Sequence, residues 1–156
     1  MKILSIAIAA ATLLTTVPAI AASTDPLRVI YKVSGVLDSG AGPNMGYATV
    51  FFCTNFSSVE ERVRISLRPK NAGAPINNTF NFDPGETQTF ATHQALAYNE
   101  DNTLAAGIIF RQGSAIISAT TVNVHCSTAQ VNATATVPVS IALHMVRIRP
   151  KSNSQE

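Results

Sequence analysis

The chain has 156 residues, carries a formal net charge of +2 and has only 13% charged residues. Such a length suits one domain. With Lys2 set aside, ten basic residues stand against nine acidic ones, a balance that argues against a nucleic-acid partner or an anionic membrane surface.

The chain opens as a secretory signal peptide does. Lys2 supplies a positive start, and residues Ile3 to Val17 are apolar except for Ser5, Thr12, Thr15 and Thr16. Pro18 ends that run, and Ala19-Ile20-Ala21 supplies the small-x-small pattern of a cleavage site. The run is shorter than the ~20 apolar residues a membrane anchor needs. The predicted organisation is a signal peptide over 1–21, a folded domain over 22–149 and a polar tail over 150–156. The mature chain, about 135 residues, is long enough to bury roughly two thirds of its unfolded surface. It contains no second span, so the expected location is the periplasm or the extracellular space.

Beyond residue 22 the apolar residues recur with period two, the mark of half-buried strands. Val29, Tyr31 and Val33 alternate with Arg28 and Lys32, and Val63, Ile65 and Leu67 with Arg62, Arg64, Ser66 and Arg68. Phe80 and Phe82 continue the pattern. Ile116, Val122, Val124 and Cys126 share one parity, as do Val131, Ala133, Ala135 and Val137. Nine strands follow: 27–34, 46–54, 61–68, 76–82, 86–92, 104–111, 114–126, 130–137 and 139–149. Asp83-Pro84-Gly85 predicts a type II turn, because proline presets φ at its second position and glycine accepts positive φ at its third. The predicted core includes Val29, Tyr31, Val33, Val63, Ile65, Leu67, Phe80, Phe82, Phe90, Ile108, Phe110, Val122 and Val124. Arg62, Arg64 and Arg68 are expected on a solvated strand face.

Short strands with closely spaced turns indicate a sandwich or barrel. The aromatic content of 6% does not supply the girdles of a membrane barrel. Two cysteines, Cys53 and Cys126, in an exported chain predict a disulfide. The loop it closes, 73 residues, corresponds to roughly 4 kcal/mol on the chain-entropy estimate.

Cys53-Thr54-Asn55-Phe56-Ser57-Ser58, the strand Arg62 to Leu67, and Phe82-Asp83-Pro84-Gly85-Glu86-Thr87 together resemble bacterial immunoglobulin-like sandwich modules. In those, a strand ends at an asparagine and a Pro-Gly turn introduces a later strand. The resemblance covers residues 46 to 92 and implies a fold, with no catalytic residue to carry over. The chain also resembles small exported bacterial proteins, which adds no mechanism. The expected architecture is one all-β, antiparallel immunoglobulin-like sandwich of about seven to nine strands.

Candidate chemistry is sparse. Gly40-Ala41-Gly42-Pro43-Asn44-Met45-Gly46 is followed by a strand-like run, whereas a dinucleotide fingerprint needs a helix there; it reads as a loop. His93, His125 and His144 are the candidate metal ligands, with Met45 and Met145 as further copper donors. No two histidines have a chelating spacing. His125 and Cys126 point to opposite faces of a regular strand. No Gly-x-Ser-x-Gly elbow occurs. Glu60-Glu61 and Glu100-Asp101 are expected in solvated turns. Asn55, Asn77 and Asn132 begin sequons, read as surface turn and strand residues. The expected function is a non-catalytic binding or structural module, without a cofactor, whose partner is a protein, a glycan or an envelope component. A periplasmic copper carrier and a fimbrial-type subunit are the alternatives.

Overall fold

The structure, a computed structural model, describes residues 26–40, 42–70, 74–105 and 107–148. The expected signal peptide and the tail 150–156 lie outside the described residues. No described helix is long and apolar enough to cross a membrane. The described residues form ten strands: β1 Arg28–Ser34, β2 Tyr47–Asn55, β3 Glu61–Pro69, β4 Ile76–Phe82, β5 Thr87–Ala91, β6 Asn102–Thr103, β7 Gly113–Ala119, β8 Val124–Asn132, β9 Ser140–Ala142 and β10 Met145–Arg147. They build two five-stranded sheets, β10-β1-β7-β3-β4 and β6-β5-β2-β8-β9. All pairings are antiparallel except β5 with β6.

The main core lies between the sheets, because period-two alternation gives each strand one apolar face. Val33, Ile65, Leu67, Phe82, Ala115 and Ile117 of the first sheet join Phe51, Cys53, Phe90 and Val124 of the second in one buried cluster. The result is a β-sandwich. β2 is apolar on both faces. Ala48 and Val50 point away from the main core into a second cluster with Ala91, Ala95, Val131 and Ala133. A continuous apolar run in one strand has that consequence.

Three predicted core residues are exposed instead: Val29, Ile108 and Val122. A register shift between Val29 and Tyr31 turns Ile30 inward and Val29 outward. Gly107, with φ +79°, turns the chain beside Ile108, whose amide bonds back to the Ala105 carbonyl at 2.9 Å. The predicted strand 114–126 is two strands broken at Thr120–Asn123, and the break resets the parity: Ala115, Ile117 and Ala119 face the core, and Val122 does not. The predicted strand 104–111 reduces to β6, before it, and a single bridge between Asp38 and Phe110. Residues 139–149 divide into β9 and β10, and β8 runs on through the predicted start at 130. Arg62 is half-buried, unlike exposed Arg64 and Arg68.

The Asp83–Glu86 turn forms as predicted. The Glu86 amide donates to the Asp83 carbonyl at 3.0 Å, and Gly85 takes φ +76°. Cys53 and Cys126 are bonded and stand directly opposite each other on neighbouring β2 and β8. Their Cα atoms are 4.1 Å apart, near the close spacing of antiparallel pairs. The bridge therefore lies within one sheet and ties the early strand β2 to the late strand β8.

Candidate functional site

Polar groups in the sandwich sort into three places. The first is the Thr49 end of β2. The Thr49 hydroxyl donates to the Leu37 carbonyl at 2.9 Å and accepts from the Leu37 amide at 2.9 Å. The Thr92 hydroxyl donates to the same carbonyl at 3.2 Å and accepts from the Thr49 amide at 3.0 Å. Both threonines are fully buried. Beside them Asp38 and His93, also buried, meet at 2.8 Å between Oδ1 and Nδ1. His93 Nε2 lies 2.7 Å from the Met45 carbonyl. The Gly40 amide donates to Asp38 Oδ1 at 3.1 Å. Glycine is needed at 40 because a Cβ there would collide with the Met45 carbonyl and the His93 ring.

This geometry sets the protonation of His93. A neutral imidazole offers one donor and one acceptor, whereas an imidazolium offers two donors. Each ring nitrogen here faces an oxygen, so the protonated ring suits both: Nε2 makes a hydrogen bond and Nδ1 a close ion-pair contact with Asp38 that falls short of hydrogen-bond geometry. Burial, the largest single influence, pulls the His93 pKa down. The close contact and charge of Asp38, the Met45 carbonyl and the Glu100 charge outweigh it and hold the pKa above 6.5. Glu100 is also raised. Burial pushes it up against opposing bonds from its own amide and that of Ala95, and against the His93 charge. With Nε2 bonded to a carbonyl, His93 presents no free nitrogen as a general base. The pair works as a clamp between the 38–46 loop and the segment after β5.

The second place is the opposite end of β2. Asn55 is fully buried. Its Nδ2 reaches the carbonyls of Val59, Phe82 and Asp83 at 2.8, 3.1 and 3.1 Å, and its Oδ1 accepts from the Ser57 amide at 2.8 Å. This corrects its reading as a surface residue. Glu61 is likewise fully buried, not solvated. Its carboxylate accepts from the Thr120 hydroxyl and, at 2.9 Å, from the Thr121 hydroxyl. Both carboxylate oxygens are thereby engaged within the fold.

The third place is the outward face of the first sheet. There an open groove of about 550 Å³ is lined by Lys32, Ser34, Arg68, Ser114, Ile116 and His144, among others. Strand register explains the grouping. Arg68 pairs with Ser114, and Ser114 with Ser34; His144 immediately precedes β10. In the neighbouring row Ser66 pairs with Ile116, Ile116 with Lys32 and Lys32 with Val146. The first row is thus cation, hydroxyl, hydroxyl, imidazole across the sheet. The second lays an apolar floor beside Lys32.

The three histidines are not brought together. His93 is in the buried clamp. His125 is exposed on β8, stacked edge-on against Phe56 at 5.1 Å and 3.4 Å from Arg147 Nη1. His144 is exposed at the groove. Met45 meets His93 through its backbone carbonyl. Among the described residues, no three His, Cys, Asp or Glu side chains converge as a metal site would require. His93 falls between the predicted strands 86–92 and 104–111, and no local pattern signals its pairing with Asp38, 55 residues earlier. The arginine stripe is plain in sequence, but the Lys32 and His144 rows emerge only from strand order. The chain matches no family model, no curated protein and no solved structure.

Proposed function

We propose that this protein is an exported, non-catalytic immunoglobulin-like sandwich that serves as a binding or structural module of the cell envelope or extracellular space. One observation carries the reading: the buried ionisable side chains are spent on the fold, while accessible polar groups gather on an open sheet face. His93, Asp38 and Glu61 hold loops and strands together. The groove beside Lys32 and Arg68 is open and lined with cations, hydroxyls and apolar side chains that suit binding. Export is supported by the Cys53–Cys126 bond, since disulfides persist in oxidising compartments, and by the leader-like first 21 residues. The test is fractionation followed by intact-mass measurement. The expected species is located outside the cytoplasm, begins at Ala22 and carries the disulfide; an exported species that retains Met1 overturns the leader assignment.

A second reading, a fimbrial-type subunit, draws on the edge of the second sheet. Val137, Val139 and Ile141 are exposed on or just before the short edge strand β9. Such alternation on an open edge suits strand addition by a neighbour. Concentration-dependent growth of the assembled mass, lost in an Ile141→Lys variant, is the outcome that favours it.

A further inference from the structure

We infer that the outward face of the first sheet binds an extended anionic polysaccharide, one whose carboxylates or sulfates recur along the chain. This deepens the binding-module reading and rests on it. The argument begins with charge. Lys32, Arg64 and Arg68 are exposed on outward positions of β1 and β3. No aspartate or glutamate occupies an outward position of β1, β3, β4 or β7. Among the described residues neither Lys32 nor Arg68 makes an ion pair, the one described pair being Asp38 with His93. A chain nearly neutral overall therefore concentrates unneutralised cations on one face.

Spacing selects the shape of the ligand. Arg64 and Arg68 are four residues apart on one strand, about 14 Å at ~3.4 Å per residue. Lys32 lies two strands from Arg68 and two residues along, about 12 Å from it at ~4.8 Å per strand. A single phosphate is bound by donors converging on one point, and these cations do not converge. They lie in a plane at separations that fit charges repeated along an extended polymer. The ground between them is hydroxyl and amide. Ser34 and Ser114 stand between Arg68 and His144, and Asn77 and Thr79 flank Arg64 on β4. Thr79 accepts from Arg64 Nε at 3.2 Å. Such groups exchange hydrogen bonds with sugar hydroxyls. Ile116 and Val146 give the groove an apolar floor against which a sugar ring can rest.

The experiment uses the full mature chain with polygalacturonate as the anionic probe and dextran as its neutral counterpart. Binding is read by calorimetry at low and physiological salt, with melting temperature as a control. The expected result is binding to polygalacturonate that weakens with salt, as exposed charge contacts do, and none to dextran. Lys32→Gln with Arg68→Gln should weaken it about tenfold at unchanged melting temperature. Arg111→Gln, which removes an exposed cation that does not line the groove, should leave it within about twofold. Equal binding by the double variant, or equal binding of dextran, overturns the site. Binding to phosphatidylglycerol vesicles without binding to polygalacturonate overturns it in favour of a lipid surface. Failure of every polyanion removes this inference and leaves the binding-module reading standing. Release of new reducing ends from polygalacturonate leaves the anion site standing and overturns the non-catalytic reading.

Discussion

At one end of β2, Asn55 anchors two turns through a neutral amide that bonds only to backbone. At the other end, Asp38 and His93 anchor a loop through a charged pair whose second arm reaches the Met45 carbonyl. Both ends face the same problem. A sandwich leaves polar backbone where strands stop, and buried polar groups need partners. The amide solution carries no proton that comes or goes. The ionic solution works only while His93 is protonated. The two ends should therefore be told apart by pH, although both sit on one strand.

The disulfide belongs to the Asn55 end, two residues away, and its removal should produce the largest effect. Cys53→Ser with Cys126→Ser is expected to cost about 4 kcal/mol in urea unfolding, with the loss constant from pH 6 to pH 9. Thiol labelling of the unfolded, unreduced protein should find no free thiol. Two reactive thiols per chain would remove the tie between β2 and β8.

The apolar layer shared by both ends supplies the calibration. Leu67 is fully buried and Arg68 exposed. Leu67→Ala should cost about 3 kcal/mol, and Arg68→Ala less than about 0.5 kcal/mol. Equal losses would show that the register of β3 is displaced by one residue. Asn55→Ala comes next. It strips partners from the Val59, Phe82 and Asp83 carbonyls and the Ser57 amide, and should cost about 2 kcal/mol, at every pH alike. A loss that varies with pH would end the contrast between the two ends.

The turn at the Asn55 end was legible in the sequence although the burial of Asn55 was not, and locality is the reason. Asn55 contacts Ser57 and Val59 nearby, and the Asp83-Pro84-Gly85 turn announces itself by residue chemistry. Period two also placed β1, β3 and β4 closely, because each has one dominant apolar face. Parity reading failed where the chain breaks step: the register shift at Val29, the reset at Thr120–Asn123 and the turn at Gly107. No local pattern marks these, since the signal is carried by tertiary pairing. The burial of Glu61 was hidden for a similar reason. Its hydroxyl partners, Thr120 and Thr121, arrive from 59 and 60 residues away. The cationic face was half legible. The stripe on β3 is plain in sequence, but Lys32 and His144 join it only once β7 separates β1 from β3.

The smallest effect is also the most discriminating, because it tests the charged end by its proton. Folding raises the His93 pKa above its ordinary 6.5, so the folded state holds that proton more tightly than the unfolded state. Its stabilising contribution is complete below pH 6.5 and is lost as pH climbs through the folded value. Glu100, raised above its ordinary 4.5, acts with the same sign lower down, losing its contribution as pH rises from 4.5 through its own folded value. Stability measured by urea unfolding should therefore fall in two steps with rising pH. The upper step belongs to His93 and cannot be steeper than about 1.4 kcal/mol per pH unit, the limit for one proton. His93→Gln should remove the upper step and leave the lower. Asn55→Ala should shift the whole curve down and keep both. A wild-type curve that is level or rising above pH 6.5 would mean that His93 folds neutral, with one of its two nitrogens facing an oxygen it cannot bond.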